Sequence, residues 1–349
     1  MSSVTKAIKE RASTYSHIFI PAAILLIIAV GWSIFWFFAS RQAVSAVGHW
    51  LEQEAKLGRN WTCLDQKIGG YPFKIEIMCS GLQFSGNIAD MAMTGSVPGF
   101  EATAPLLRQD DLLIRLEPPF IAKAQDGGID LNLGWKDFYV QLEGSPGAYQ
   151  SIVLAGTQVK LQGHVADLPP LEGGFNELQS HLSLAQDRHD NSYDFTFAFN
   201  DGAIPALTQV LHTQESLYVQ FGGSLSQVPA GNATTFADFL EHWRTTNGHL
   251  DIASARLSSG GTQFEATGGL GLDEQHRVNG ELNAVFAGFD KVFRQLHMDP
   301  GVLVAGKALS GLMGKGSGVP GRLDLPLSFS AGHVSIGPVL TPLEIPPLY

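Results

Sequence analysis

Residues 18–39 read IFIPAAILLIIAVGWSIFWFFA, a run of 22 side chains without a formal charge. As a helix at about 1.5 Å per residue it covers roughly 33 Å, enough to cross the hydrocarbon of a bilayer. One end of this chain must therefore meet a membrane or be removed. Pro21 lies near the start of the run, where a helix tolerates it. Trp32 and Trp36 sit among Phe35, Phe37 and Phe38 at the far end, a pattern suited to the aromatic belt of a membrane interface. The alternative is a cleaved signal peptide, whose apolar region is about 7–15 residues long and ends in a small-x-small site. This run is longer and bulky to its end, and Arg41 stands before the nearest such site, Val44-Ser45-Ala46. We read it as an uncleaved anchor.

Lys6, Lys9 and Arg11 precede the span against one acid, Glu10. Bases beside a span stay on the cytoplasmic side, which places residues 1–17 inside and the rest of the chain beyond the membrane. Residues 1–40 carry +2, leaving −13 of the net −11 to residues 41–349. So acidic an exterior repels nucleic-acid phosphates and argues against simple electrostatic binding to anionic lipid. Val44, Val47, Trp50 or Leu51, and Ala55 recur at helical spacing, predicting a juxtamembrane stem over 40–58 that Gly58 ends.

From Trp61 the period becomes two. Ile75, Ile77 and Cys79 alternate with Glu76 and Met78; Leu131, Leu133 and Trp135, then Val140 and Leu142, continue the pattern. Phe195, Phe197 and Phe199 form the most aromatic run, followed by Val219 and Phe221, Phe264 and Ala266, and Leu323 to Phe329. Such alternation marks strands with one buried face, and short turns rich in Gly, Pro and Asp mark antiparallel sheet. Helices are predicted near 204–211, over 236–243 behind a Thr235/Asp238 capping box, near 289–296 and near 303–312. The expected fold is α+β and β-dominated: one transmembrane helix over 18–39, then a long curved antiparallel sheet with short packing helices over 59–349.

Cys63 and Cys79 match neither a CxxC redox motif nor a zinc pattern. A structural disulfide is the favoured reading over a redox or metal pair.

Gly69-Gly70-Tyr71-Pro72-Phe73, followed by Lys74-Ile75-Glu76 and Cys79, resembles the opening motif of an uncharacterised proteobacterial membrane-anchored family, domain of unknown function 2125. The stretches 248–296 and 323–338 fit the same family. The resemblance implies a single-pass protein of the bacterial inner membrane, N-terminus cytoplasmic and main domain periplasmic, and supplies no activity. More distantly, the strand-turn-strand-helix order resembles AsmA-type envelope proteins, associated with lipid homeostasis and outer-membrane assembly.

Motifs for chemistry fail on inspection. Residues 301–308 approach a P-loop but end in Ala308 where the metal-binding hydroxyl belongs, and no strand leads in. Gly316-x-Gly318-x-x-Gly321 leads into a strand rather than opening a helix. Neither GxSxG nor HExxH occurs. Asp187-Arg188-His189-Asp190 reads as a solvated turn, and Asn60 and Asn232 are glycosylation acceptors only in a eukaryote. We expect no catalytic residue, metal, cofactor, nucleotide or nucleic acid.

Two features remain. Gly69 to Phe73 forms either a loop that touches lipid or a partner, or a plain turn with Tyr71 and Phe73 in the core. Phe195, Phe197, Val219, Phe221 and Phe264 either line an apolar groove for phospholipid or make a dry core. The expectation is a non-enzymatic envelope protein that binds lipid or serves envelope assembly. The alternatives are a scaffold or sensor for other envelope proteins and, third, a periplasmic hydrolase.

Overall fold

Period-two segments with one apolar side build a single antiparallel sheet. The computed structural model describes residues 2–88, 91–108, 110–145, 148–165, 170–188, 190–211, 213–229, 235–288, 322–337 and 339–349. The expected helices near 289–296 and 303–312, the P-loop-like segment, the glycine run, His189 and Asn232 lie outside them.

Helix α1 (Ser2–Lys56) is continuous through Pro21. The strands are β1 (Asn60–Gly69), β2 (Lys74–Ile88), β3 (Met91–Pro105), β4 (Asp111–Glu117), β5 (Phe120–Ala124), β6 (Ile129–Gly134), β7 (Asp137–Ser145), β8 (Ala148–Val165) and β9 (Leu171–Leu184). Then come β10 (Tyr193–Gly202), helix α2 (Pro205–Leu211), β11 (Leu217–Leu225), helix α3 (Phe236–Thr245), β12 (Leu250–Ser259), β13 (Thr262–Leu272), β14 (Val278–Ala287), β15 (Arg322–Ser330), β16 (His333–Ile336) and β17 (Val339–Glu344).

The topology is a meander in which every described pair is antiparallel. β4 and β5 lie end to end along β3, parted by Pro118-Pro119, since proline has no ladder donor. β7 and β6 lie end to end along β8, parted by Trp135 and Lys136. At the same level β2 turns at Gly81 (φ 71) and β8 at Gln158 (φ 49). In β8 the apolar positions pass from Ile152, Leu154 and Gly156 to Val159 and Leu161, and in β9 from Leu178 to Phe175. Neighbouring strands each take up the extra residue together, so pairing stays in register on both sides of this crease and the apolar side stays continuous.

The capping box forms as expected: the Thr235 hydroxyl accepts from the Asp238 N–H, and the Asp238 carboxylate accepts from the Thr235 N–H. Trp243 of α3 is buried and donates its ring N–H to the Ser226 carbonyl at 2.8 Å. Leu211 of α2 packs on Leu217, Phe199 and Leu257, closing one end of the apolar face. The proline-rich tail adds β17 as an edge strand, and Tyr349 then donates to Glu241 at 2.7 Å. The bidentate Arg244 fork and the Tyr349 hydroxyl hold the Glu241 carboxyl down to about 2.

Cys63 of β1 and Cys79 of β2 are joined as a disulfide, with Cα atoms 5.8 Å apart. Replacing both with serine is expected to lower the stability of the full chain in detergent by about 3 kcal/mol in the chain-entropy account. A fall in the urea midpoint, with a slope that rises as the unfolded chain loses its cross-link, would report it.

Candidate functional site

Register carries the apolar side of each strand to the next across the whole sheet. One row runs Ile77, Ala102, Ile114, Val140, Leu154, Ser180, Phe197, Phe221, Ala255, Ala266, Ala284, Leu325, each facing its neighbour on the adjoining strand. Only Ser180 interrupts it with a hydroxyl. The adjacent row holds Phe138, Leu178, Phe199, Val219, Leu257, Phe264 and Phe286. Aromatic rings knit the rows together: Phe195 lies 5.1 Å from Phe221, Phe175 stacks on Phe199 at 5.4 Å, and Phe264 meets Phe286 at 5.2 Å.

Coverage along this face is uneven. Toward β13–β15 it is a closed core in which Ala266, Ala284, Phe286, Leu323 and Leu325 are buried. Around Phe84, Met93, Ala122 and Ala124 a second cluster is buried too. Between them, Ile114, Val140, Leu154, Phe197 and Phe221 are only half-buried. Helix α1 packs on β1 and β2 and α2 on β9, and among the described residues no helix makes more than marginal contact with β3–β8. The five residues expected to line a groove, Phe195, Phe197, Val219, Phe221 and Phe264, lie together on this face, and all five are half-buried. The opposite face is mixed. Its shallow depressions, of about 350 and 320 Å³, are lined by polar residues such as Thr62, Gln83, Lys123, Gln179 and Thr196 together with Ile121, Tyr139 and Val153.

The second feature lies where the sheet meets α1. Gly70 adopts φ +92, and a Cβ there would come within 2.6 Å of the Lys74 carbonyl oxygen, so glycine alone fits the turn between β1 and β2. Lys74 N–H donates to Gly70 O at 3.0 Å and Leu106 N–H to Phe73 O at 2.9 Å, which ties this turn to the one after β3. The pair docks on the helix. Trp32 donates its ring N–H to Pro72 O at 2.7 Å and Trp36 to Lys74 O at 2.8 Å. Ser33 Oγ lies 2.8 Å from the Tyr71 hydroxyl, and the Tyr71 ring meets Trp36 edge-on at 5.6 Å. Beneath them Ala39, Ile75 and Leu106 are buried together, flanked by Ala43.

Further along, Trp50 packs on Trp61 and Trp61 on Phe84. The Arg59 guanidinium grips Glu54 with two 2.7 Å hydrogen bonds, holding that carboxyl below its ordinary value against the opposing effect of burial. One face of α1 from Trp32 to Glu54 is thus the partner of the first strands. Tyr71 and Phe73 do not enter the core. Sequence reasoning placed the two tryptophans at a membrane interface and missed that they hold the loop. Their i, i+4 spacing, continued by Ala39 and Ala43, is the signal that could have found it.

Among the described residues no group of three or more His, Cys, Asp and Glu is placed to hold a metal ion. The model of DUF2125, described as an uncharacterized protein conserved in bacteria, matches residues 36–343. The chain belongs to this family. The DUF2125 match begins inside α1 at Trp36, one of the residues that hold the loop, and runs through nearly all of the sheet. No curated protein and no solved structure matches, which leaves the AsmA-type resemblance without support.

W32F and W36F each remove one hydrogen-bond donor while keeping an aromatic ring. Each is expected to weaken docking by about 1 kcal/mol, on the order of fivefold in the opening equilibrium. Hydrogen exchange of amides 70–76 in the full chain should quicken accordingly. G70A, strained by about 1–3 kcal/mol, should act in the same direction.

Proposed function

We propose that this chain is a membrane-anchored bacterial envelope protein whose half-buried sheet face holds lipid acyl chains. The observation that carries the reading is the half-buried middle of an apolar face whose central row only Ser180 interrupts, spanning β4 to β11. Apolar area in water costs on the order of 25 cal/mol per Å², and contiguous patches beyond a few hundred Å² mark interaction sites. An acyl chain is apolar along its length, needs no hydrogen-bond partner, and can lie across successive rows of Leu, Val and Phe.

The helix supports anchoring: from Ile20 to Lys56 it is long and apolar enough to cross a membrane. Removal as a signal peptide would strip Trp32, Trp36 and Ala39 from the domain and leave Ile75 and Leu106 uncovered. That loss favours retention. The bases at Lys6, Lys9 and Arg11 favour a cytoplasmic N-terminus, and the Cys63–Cys79 disulfide is compatible with a sheet on the periplasmic side of the inner membrane.

The test uses neighbours on opposite faces. A photoreactive phenylalanine analogue is placed at Phe197 or at Thr196 in the full chain, in cells, and irradiated. Phospholipid-mass adducts at Phe197 and none at Thr196 are expected. Protein adducts at Phe197 would instead favour a partner-binding module, and equal labelling of both positions would overturn the acyl-chain reading.

A further inference from the structure

The turns that dock on α1 present large apolar side chains outward. Phe73 is 75% exposed and Leu107 77%, close to the 67% of Leu25 on the apolar helix itself, and Tyr71 is also exposed. Nothing in the core requires them. Ile75 and Leu106, on strand and turn beside them, already fill the contact with Ala39. Exposed Phe and Leu at the tips of two hydrogen-bonded turns are costly in water and stable in hydrocarbon.

Their position identifies what covers them. The turns are fixed to Trp32, Ser33 and Trp36, residues inside the uncharged run 18–39, so they stand beside the helix where it enters or leaves the bilayer. Each tip is followed by a base: Phe73 by Lys74, and Leu107 by Arg108. Arg41, whose guanidinium sits 4.9 Å from the Phe37 ring centre, lies two residues past Ala39. Lys74 also pairs with Glu76, and Arg108 approaches Asp111 at 4.0 Å, yet both basic side chains remain largely exposed. An apolar tip backed by a base, repeated beside a span ending in an aromatic belt, is the pattern of an interfacial anchor.

We infer that Tyr71, Phe73 and Leu107 form a second membrane contact, inserted into the leaflet on the domain's side next to α1, with Lys74, Arg108 and Arg41 at the level of the lipid phosphates. The sheet is then seated in the bilayer surface and does not stand off on a stalk. This contact is independent of whether the sheet face holds acyl chains, because the tip can be inserted while the face stays empty.

The full chain is reconstituted in vesicles of phosphatidylcholine and phosphatidylglycerol, with one added cysteine carrying an environment-sensitive fluorophore at position 73, 107 or 64. Leu64 is the standard: an equally exposed apolar residue on β1, away from the turn. Dyes at 73 and 107 should be quenched several-fold more by chain-labelled doxyl lipid than the dye at 64, and protected from aqueous iodide. All three positions respond to the dye without burial in the fold, so the readout does not depend on stability. Equal iodide quenching at 64, 73 and 107, with no doxyl quenching at 73 and 107, would overturn the inference.

Discussion

A sheet with one apolar face must have that face covered, and every other feature of this protein answers to that requirement. The meander carries one apolar side through twelve consecutive strand lines by register alone, from Ile77 to Leu325. Helices α1 and α2 close its flanks, and the far strands pack into a core around Ala284. Between them Val140, Leu154 and Phe197 keep partial exposure. The crease at Gly81, Pro118-Pro119 and Gln158 matters for the same reason. It alters the path of several strands without turning a single apolar row toward the polar side.

Helix α1 has two jobs on one rod. Its central segment is apolar all round, long enough to cross a membrane. From Trp32 onward one stripe becomes the partner of β1, β2 and the turn after β3, fixed by two indole donors at one end and by the Glu54–Arg59 fork at the other. A domain held along more than twenty residues of one long helix takes its orientation from that helix, and under the proposed anchoring this would set how the sheet faces the bilayer. The same contact constrains the turn Gly69 to Phe73. Gly70 supplies the left-handed backbone and Tyr71 the hydroxyl, while the accepting carbonyls of Pro72 and the following Lys74 are main-chain groups.

Much of this was legible in the residues. Period-two alternation located the strands because each has one wet and one apolar side. Thr235 and Asp238 announced α3 because a capping box has fixed spacing, and Gly58 ended α1 as expected. Phe195 and Phe197, and Val219 and Phe221, share a face within their strands by parity, and register brings Phe264 to the same face. Three things were not legible. Strand order depends on pairing partners that alternation does not name. The parity changes at Gln158 and at Trp135-Lys136 look like lost periodicity when a strand is read alone. The docking of Tyr71 and Pro72 on Trp32 and Trp36 joins segments about forty residues apart, and the spacing of the tryptophans marks a helix face without naming its partner.

The proposal that acyl chains occupy the half-buried middle of the sheet face is tested most directly by pulsed electron paramagnetic resonance. A nitroxide is placed on a cysteine at Leu154, far in sequence from both turns that touch α1, in the full chain reconstituted with chain-deuterated phospholipid. The account predicts strong deuterium modulation from the lipid chains and little when ordinary lipid is used in heavy water. Modulation from heavy water with none from deuterated chains would mean that the face stands open to solvent, and would contradict the account.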